Sequence, residues 1–192
     1  MIRIFLIASL IISNFISAEY TNSNGKALEK PFKDLIKWVR SDVEPKLAQI
    51  DVSSEWQTIN LNEADNYIIW IGHSTFLIKK EGITILTDPV FSDRASPFKS
   101  IGPERLIPPA MSIDQLPKID FVTVSHNHYD HLDINSLKEI SKLHPEAIFF
   151  VPIGDLKLLK RKRIKNAYEF NWWESYSIEA VSYTHLTLPT SY

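Results

Sequence analysis

Three histidines and an aspartate crowd into one short segment, the part of the chain with the clearest capacity for chemistry. The segment reads Ser125-His126-Asn127-His128-Tyr129-Asp130-His131. Because residues two apart on an extended segment point the same way, His126 and His128 can converge on one ion. Asp130 and His131 can turn towards a second ion at the following bend. The chain contains no cysteine, so histidine and carboxylate are its only strong metal ligands.

These ligands predict a metal centre that activates water. Neutral imidazole and carboxylate suit Zn²⁺, Fe or Mn²⁺, and we expect a pair of ions, Zn²⁺ by preference. Two such ions could acidify a shared water to a hydroxide at neutral pH, so hydrolysis is the expected chemistry. The alternatives are a fortuitous histidine cluster and a purely structural ion site.

Short β-rich runs and a capped helix surround the motif. Period and composition predict strands over Tyr67–Ile71, Thr75–Ile78, Ile83–Thr87, Phe121–Val124 and Ala147–Val151. A Glu81-Gly82 turn joins two of them as a hairpin. Asp133 is the predicted N-cap of a helix over Ile134–Leu143. The proline-rich residues 89–118 predict a long ordered loop. Strand, helix and strand in this order favour an α/β layered core, with the motif on a loop at a strand end.

Composition limits the remaining choices. The chain has 192 residues, enough for one domain or part of one, and 44% of them are hydrophobic, so a packed core is expected. The net charge of −2 gives no field that would recruit nucleic acid, and no nucleic-acid partner is expected. The sequence leaves the oligomeric state open.

The pattern H-x-H-x-D-H after a hydrophobic strand resembles the signature of the metallo-β-lactamase-fold hydrolases. The segments Trp70-Ile71-Gly72-His73-Ser74-Thr75, 86–97 and Gly102-Pro103-Glu104-Arg105 look like the branch that contains N-acyl-phosphatidylethanolamine-hydrolysing phospholipase D. The resemblance covers roughly residues 70–173 and implies the N-terminal half of an αββα sandwich.

The resemblance also implies roles for individual residues. His126 and His128 would bind the first metal, and Asp130 and His131 the second. Asp130, His131 and Asp88 would be the catalytic residues, with Asp88 orienting the metal-site loop from behind. His73 lies near the site in such proteins, and a hydrogen-bonded structural histidine at a strand end is an equal alternative for it.

The implied function is phospholipase D-like hydrolysis of a phosphodiester in a small-molecule or phospholipid substrate. A related lactonase or sugar-phosphate hydrolase with the same centre is the first alternative. A non-catalytic, truncated envelope-binding protein is the second.

Both ends of the chain carry patterns that we expect to lie outside the fold. Arg3, the apolar run Ile4–Ile12 and Ala18 are typical of a secretory signal over residues 1–18, with a membrane anchor as the alternative. We therefore expect an exported, periplasmic or envelope-associated protein. Residues 19–60 would form an extension with an amphipathic helix over Pro31–Arg40, and residues 61–180 a partial metallo-β-lactamase-like domain.

Residues 181–192 resemble the translation of a sequencing adaptor, and a natural Thr-rich strand and turn is the alternative. The resemblance implies a third histidine for the first metal, a bridging aspartate and a last histidine, all beyond Ala180. We therefore expect the 192-residue chain by itself to be inactive.

Three further features have a functional and a structural interpretation each. The basic run from Lys157 to Lys165 could attract anionic head groups at a membrane surface, but a solvated helix face is favoured. Arg94 and Arg105 could hold a substrate phosphate or pair with Asp93 or Glu104. The pair Trp172-Trp173 could line an acyl groove or belong to the core or its rim.

Overall fold

The fold is taken from a computed structural model, which describes residues 53–97, 100, 102–178 and 181–183. These residues all fall in one compact unit that runs from Ile50 to Tyr192. The predicted signal peptide, the predicted helix over 31–40 and residues 184–192 lie outside the described residues. In the part of the chain that is described, no helix is both long enough and apolar enough to cross a bilayer.

A six-stranded sheet forms the centre of the fold. Its strands are β1 (Tyr67–Gly72), β2 (Thr75–Lys80), β3 (Ile83–Thr87), β4 (Phe121–Thr123), β5 (Ile148–Pro152) and β6 (Ala167–Phe170), in that spatial order. The pairs β1/β2 and β2/β3 are antiparallel, whereas β3 to β6 run parallel to one another. The predicted hairpin turn is present, and Glu81 and Gly82 both have positive φ, as a tight turn requires.

Two helices make two of the three crossovers between the parallel strands, and the long loop makes the crossover from β3 to β4. Helix α1 (Ile134–Leu143) joins β4 to β5, and α2 (Leu156–Arg161) joins β5 to β6. The bounds of α1 are those predicted, and Asp133 caps it by accepting a hydrogen bond from the backbone N–H of Asn135. Leu137, Ile140 and Leu159 are buried in the same hydrophobic cluster as strand residues such as Leu77 and Val122. The predicted α/β class is confirmed.

The two faces of the sheet differ in how far their side chains are buried. Side chains alternate along β1, so Ile69 and Ile71 enter the core while Ile68 and Trp70 are 72% and 48% exposed on the other face. On β6, Tyr168 is also exposed. The helix-covered face is therefore the one that holds the core.

Some elements differ from the sequence prediction. The long loop after β3 contains a short 3₁₀ helix, Ile113–Gln115, with a capping box formed by Ser112 and Gln115, and an isolated bridge between Arg94 and Glu104. Strand β6 was not predicted, because its four residues give too short a run to show a period. A second small sheet pairs β7 (Tyr176–Ile178) with β8 (Val181–Tyr183).

Candidate metal centre

The sheet topology brings the predicted residues to one edge. Asp88 directly follows β3, and the motif begins two residues after β4 ends. Because β3 and β4 are parallel, with Thr87 opposite Thr123, both segments leave the sheet at the same edge. The candidate metal centre lies there, where the carboxyl ends of parallel strands place loops for binding.

His126 and His128 face each other across a short gap. The Nε2 atom of His126 is 3.1 Å from Nδ1 of His128. Two nitrogen ligands of a tetrahedral Zn²⁺, each about 2.0–2.1 Å from the ion, are separated by about 3.3–3.4 Å. The two atoms thus lie close to the spacing that one shared ion requires, which fits the prediction that this pair binds together.

Asp130 and His131 form the second predicted pair. The Oδ2 atom of Asp130 lies 3.7 Å from Nε2 of His131, with the side chains 43% and 20% exposed. Their donor atoms also face one another. The structure therefore brings all four predicted ligands to one place, and the assignment of an ion to each pair stays a prediction.

Asp88 lies directly behind the motif and is almost completely buried. Its carboxylate accepts hydrogen bonds from the backbone N–H of Ser125 at 2.6 Å and from the Ser125 hydroxyl at 2.8 Å, and it lies 2.9 Å from Nδ1 of His131. This is the arrangement of carboxylate and histidine that fixes a metal-binding ring from behind. It leaves Nε2 of His131 free to face the site. The orienting role of Asp88 in a metal centre stays a prediction.

The backbone of Asp88 is itself held in place. Asp88 has a φ of +37°, which is uncommon for a residue with a side chain. The buried Thr75 hydroxyl donates to the carbonyl of Asp88 and accepts from the N–H of Val90. One threonine of β2 thus secures the sharp bend that follows β3.

Ser125 contacts the imidazoles of His126 and His131, the two inner histidines of the motif. Its role was not predicted from the sequence. Its hydroxyl oxygen lies 3.0 Å from Nδ1 of His126 and 3.3 Å from Nδ1 of His131. If its proton goes to Asp88, the hydroxyl accepts from Nδ1–H of His126, and Nε2 of His126 keeps its lone pair. Ser125 immediately precedes the first histidine at a strand end, and that position is the sequence signal for its role.

The pKa values of the two inner histidines move in opposite directions. Burial lowers the pKa of His126, and the neighbouring His131 and His128 add to the effect. Burial also disfavours the charged form of His131, but its hydrogen bond to Asp88 and the charges of Asp88 and Asp130 outweigh this and raise its pKa. A neutral His126 suits metal binding, since imidazole must be unprotonated to be a ligand.

A second buried carboxylate supports the site from the helix side. Besides capping α1, Asp133 accepts from the N–H of Ser92 at 3.0 Å and from the Ser136 hydroxyl at 2.6 Å. The Ser136 hydroxyl in turn accepts from the N–H of Phe91. The long loop after β3 is thereby tied to the first turn of α1. The helix cap was predictable from the sequence, whereas its bond to a loop 41 residues away was not.

The arginines of the long loop serve structure. Arg94 donates to the carbonyl of Gly102 and to the carboxylate of Glu104, as the structural alternative predicted. Arg105 donates to the carbonyls of Ser92 and Val90 rather than to a carboxylate. Both guanidinium groups are used in closing the loop.

The remaining candidates lie outside the candidate metal centre. His144 ends α1 at the opposite end from Asp133, and burial lowers its pKa. Trp172 and Trp173 are exposed, and Trp173 is 70% exposed. The six basic residues of the run from Lys157 to Lys165 are all exposed, while Leu159 and Ile164 between them are buried. This pattern fits a solvated surface.

Comparison with known proteins now defines the class. The family described as the beta-lactamase superfamily domain matches residues 67–190, and the chain belongs to this family. It is 43% identical over 119 residues to N-acyl-phosphatidylethanolamine-hydrolyzing phospholipase D 1 of Caenorhabditis elegans, in an alignment that covers 59% of this chain and 33% of that protein. It is 36% identical over 113 residues to the mitochondrial N-acyl-phosphatidylethanolamine-hydrolyzing phospholipase D of Saccharomyces cerevisiae, in an alignment that covers 59% of this chain and 24% of that protein.

The chain thus spans about a third or less of the length of these curated relatives. Among solved structures, a possible metal-dependent hydrolase from Veillonella parvula aligns with a TM-score of 0.49 at 20% identity, covering 62% of this chain and 46% of that one. The predicted family is confirmed, and the matched residues include the whole candidate metal centre.

Proposed function

We propose that the protein functions as a metal-dependent hydrolase that cleaves a phosphodiester bond in a phospholipid-type substrate. One observation carries the proposal: the candidate ligand atoms lie 3.1 Å apart in the first pair and 3.7 Å apart in the second, and the rings of His126 and His131 bring the two pairs together with centroids 4.0 Å apart. A fortuitous, solvated histidine cluster has no need for such convergence. Membership of the beta-lactamase superfamily supports the same conclusion.

In this proposal His126 and His128 would hold one divalent ion, and Asp130 and His131 a second. When bound, such ions lower the pKa of a coordinated water and stabilise negative charge that develops on a phosphoryl oxygen. Imidazole and carboxylate donors suit Zn²⁺, with Fe and Mn²⁺ as the other candidates. Asp88 orients His131 and, with Ser125, holds the loop that carries all four donors.

The substrate class rests on the relatives. Two proteins with 43% and 36% identity are named for the hydrolysis of N-acyl-phosphatidylethanolamine, a phospholipid. For this chain we propose a phosphodiester of that general kind. The secretory-type N-terminus supports an exported location for the protein.

The test begins with metal. The 192-residue chain is equilibrated with Zn²⁺, Fe²⁺ or Mn²⁺ by dialysis, and bound metal is measured by mass spectrometry at equilibrium. We expect weak but measurable binding, because each ion would have two of these ligands, and we expect His126→Ala combined with His128→Ala to reduce it. His144→Ala removes a half-buried histidine at the far end of α1 and is the matched control. Equal metal content in the double variant and the wild type would contradict the proposal.

Turnover is measured on this chain and on the protein translated from its genomic reading frame. The substrate panel contains N-acyl-phosphatidylethanolamine, a simple aryl phosphodiester, a lactone and a sugar phosphate. We expect hydrolysis of the two phosphodiesters by the protein of the genomic reading frame, removed by chelation and restored by added metal, and none by the 192-residue chain. Hydrolysis of the lactone or the sugar phosphate alone would replace the proposed substrate class while retaining the metal centre.

A further inference from the structure

His73 reaches the candidate metal centre from a distant part of the sequence. It lies in the turn between β1 and β2. Because β2 runs antiparallel to β3, with Phe76 opposite Thr87, this turn meets the edge at which β3 ends. The turn therefore stands beside the motif, although His73 and Asp130 are 57 residues apart.

The backbone of His73 is held in an uncommon conformation. Its φ is +51°, in the left-handed region that residues with side chains rarely adopt. The indole N–H of Trp70 donates to the carbonyl of His73 at 2.8 Å and secures this conformation. Gly72, with a φ of +146°, precedes it, and a Cβ there would approach the Arg105 guanidinium to 3.3 Å. Such conformations persist where surrounding contacts fix them, and they concentrate at functional sites.

The side chain of His73 points at the second ligand pair. Its Nε2 atom lies 3.2 Å from Oδ2 of Asp130, the same oxygen that faces His131. The His73 ring meets the His131 ring edge to face, with centroids 5.3 Å apart. The donor atoms of these three residues lie within 4.8 Å of one another. With its side chain 51% exposed, His73 has little burial to account for its position.

We propose that His73 is a positioning residue of the metal centre, whose Nε2–H donates to Asp130 and holds this carboxylate beside His131. Carboxylates that bind metals are commonly oriented by such hydrogen bonds, and losing one typically weakens metal binding 10- to 100-fold. Asp130 needs this support because its side chain is 43% exposed, and its polar partners among the described residues are His73 and His131. Both members of the second ligand pair would then be oriented by a neighbouring side chain, His131 by Asp88 and Asp130 by His73.

This inference rests on the metal centre of the proposed function, and two variants of His73 test it. Zn²⁺ affinity of the full chain is measured by competition with a chromophoric chelator, and the Co²⁺-loaded chain is examined by visible absorption. His73→Ala should weaken Zn²⁺ binding about 10- to 100-fold without changing the number of ions bound. His73→Gln should recover most of that loss, because the glutamine amide N–H can donate to the same oxygen. His144→Ala should leave the affinity unchanged.

Three results would overturn the inference. Unchanged Zn²⁺ affinity in His73→Ala would remove any positioning role. If His73→Gln is as weak as His73→Ala and both alter the Co²⁺ spectrum, His73 is a direct ligand instead. If both variants lower the free energy of unfolding while the metal affinity of the folded protein stays at the wild-type value, the role is structural.

A metal-free measurement separates failure of this inference from failure of the proposed function. In the chelator-treated chain, long-range ¹H–¹⁵N spectra should show His73 protonated at Nε2, and Asp130→Ala should shift that signal. A wild-type chain that binds no metal counts against the proposed function. A His73 signal that does not respond to Asp130→Ala overturns the inference whether or not metal binds.

Discussion

The candidate metal centre consists of two layers that differ in what their polar atoms do. The outer layer comprises His73, His126, His128, Asp130 and His131, which are exposed or partly buried. The supporting layer comprises Thr75, Asp88, Asp133, Ser136 and Asp155, which are all buried. Asp155 directly precedes α2 and accepts a hydrogen bond from the side-chain amide of Asn127 in the motif. The side chains of the supporting layer bond to backbone groups, hydroxyls, an amide and an imidazole around them. In the outer layer, the candidate ligand atoms face one another across short gaps, and His131 also contacts Asp88 through Nδ1.

This difference suggests a division of roles: the supporting layer stabilises the fold, and the outer layer carries the proposed metal chemistry. A buried donor or acceptor that loses its partner costs about 1–3 kcal/mol, so removing a supporting carboxylate should destabilise the fold. An exposed side chain away from such networks usually changes stability by no more than about 0.5 kcal/mol. The four variants below test this division, in order of their expected effect on the free energy of unfolding.

Asp88→Ala should have the largest effect. The change removes the acceptor of the Ser125 N–H and hydroxyl and the partner of His131 Nδ1 in a single step. We expect the free energy of unfolding to fall by about 3 kcal/mol, measured by urea denaturation of the metal-free chain. Asp65→Ala, a change at an exposed carboxylate, is the control. A loss below about 1 kcal/mol would show that the supporting layer contributes little to the fold.

Asp133→Ala should follow, with a loss of about 2 kcal/mol. It removes the cap of α1 and the acceptor for the Ser92 N–H, two effects that are each worth about 1 kcal/mol. Hydrogen exchange should speed up at Ser92 and Asn135, whose N–H groups lose their acceptor. The matched change Asp114→Ala, in the exposed first turn of the 3₁₀ helix, should have a smaller effect. Unchanged exchange at Ser92 would mean that the helix cap alone accounts for the loss.

The raised pKa of Asp155 predicts that the free energy of unfolding depends on pH. Burial raises its pKa to about 6 from 3.8, while the hydrogen bond from Asn127 acts against the shift and the charge of Glu169 adds to it. The folded protein therefore keeps this proton up to about pH 6, whereas the unfolded chain loses it near 3.8. The resulting stabilisation is present below the lower pKa and is lost as the pH rises through the higher one.

Asp155→Asn removes this titration and retains an oxygen for the Asn127 amide. Relative to the wild type, the variant should gain up to about 2 kcal/mol in free energy of unfolding as the pH rises from about 4 to about 6. Urea denaturation at three pH values checks the trend, with Asp65→Asn as a control that should show no such change. A constant difference between variant and wild type across this range would contradict the assignment.

The same division explains what the sequence could predict. The outer layer was visible because four of its members stand within six residues, and spacing alone predicts that they converge. Asp88 required the family resemblance. Thr75 and Ser136 are common residue types whose roles depend on contacts 15 and 45 residues away along the chain. No local pattern encodes such pairings, because they arise only when the strands and α1 come together.

His73 lies between these two cases. Its position beside the motif follows from the order of the strands. Because β2 pairs antiparallel with β3, the turn between β1 and β2 lies at the edge of the sheet where β3 ends. The hairpin was predicted from the sequence, but the parallel pairing of β3 with β4 was needed to bring Asp130 to the same edge. The short parallel strand β6 was missed for a related reason, because its partner β5 defines it more than its own composition does.

His128→Ala should have the smallest effect on stability. His128 is exposed, and its ring contacts His126 edge to face with centroids 4.6 Å apart. The free energy of unfolding of the metal-free chain should change by less than about 0.5 kcal/mol, while bound metal falls because Nε2 of His126 loses its facing donor. Urea denaturation and metal analysis are run on the same sample. A stability loss above about 1 kcal/mol would place His128 in the supporting layer and break the division, because its described side-chain partner, His126, is only partly buried.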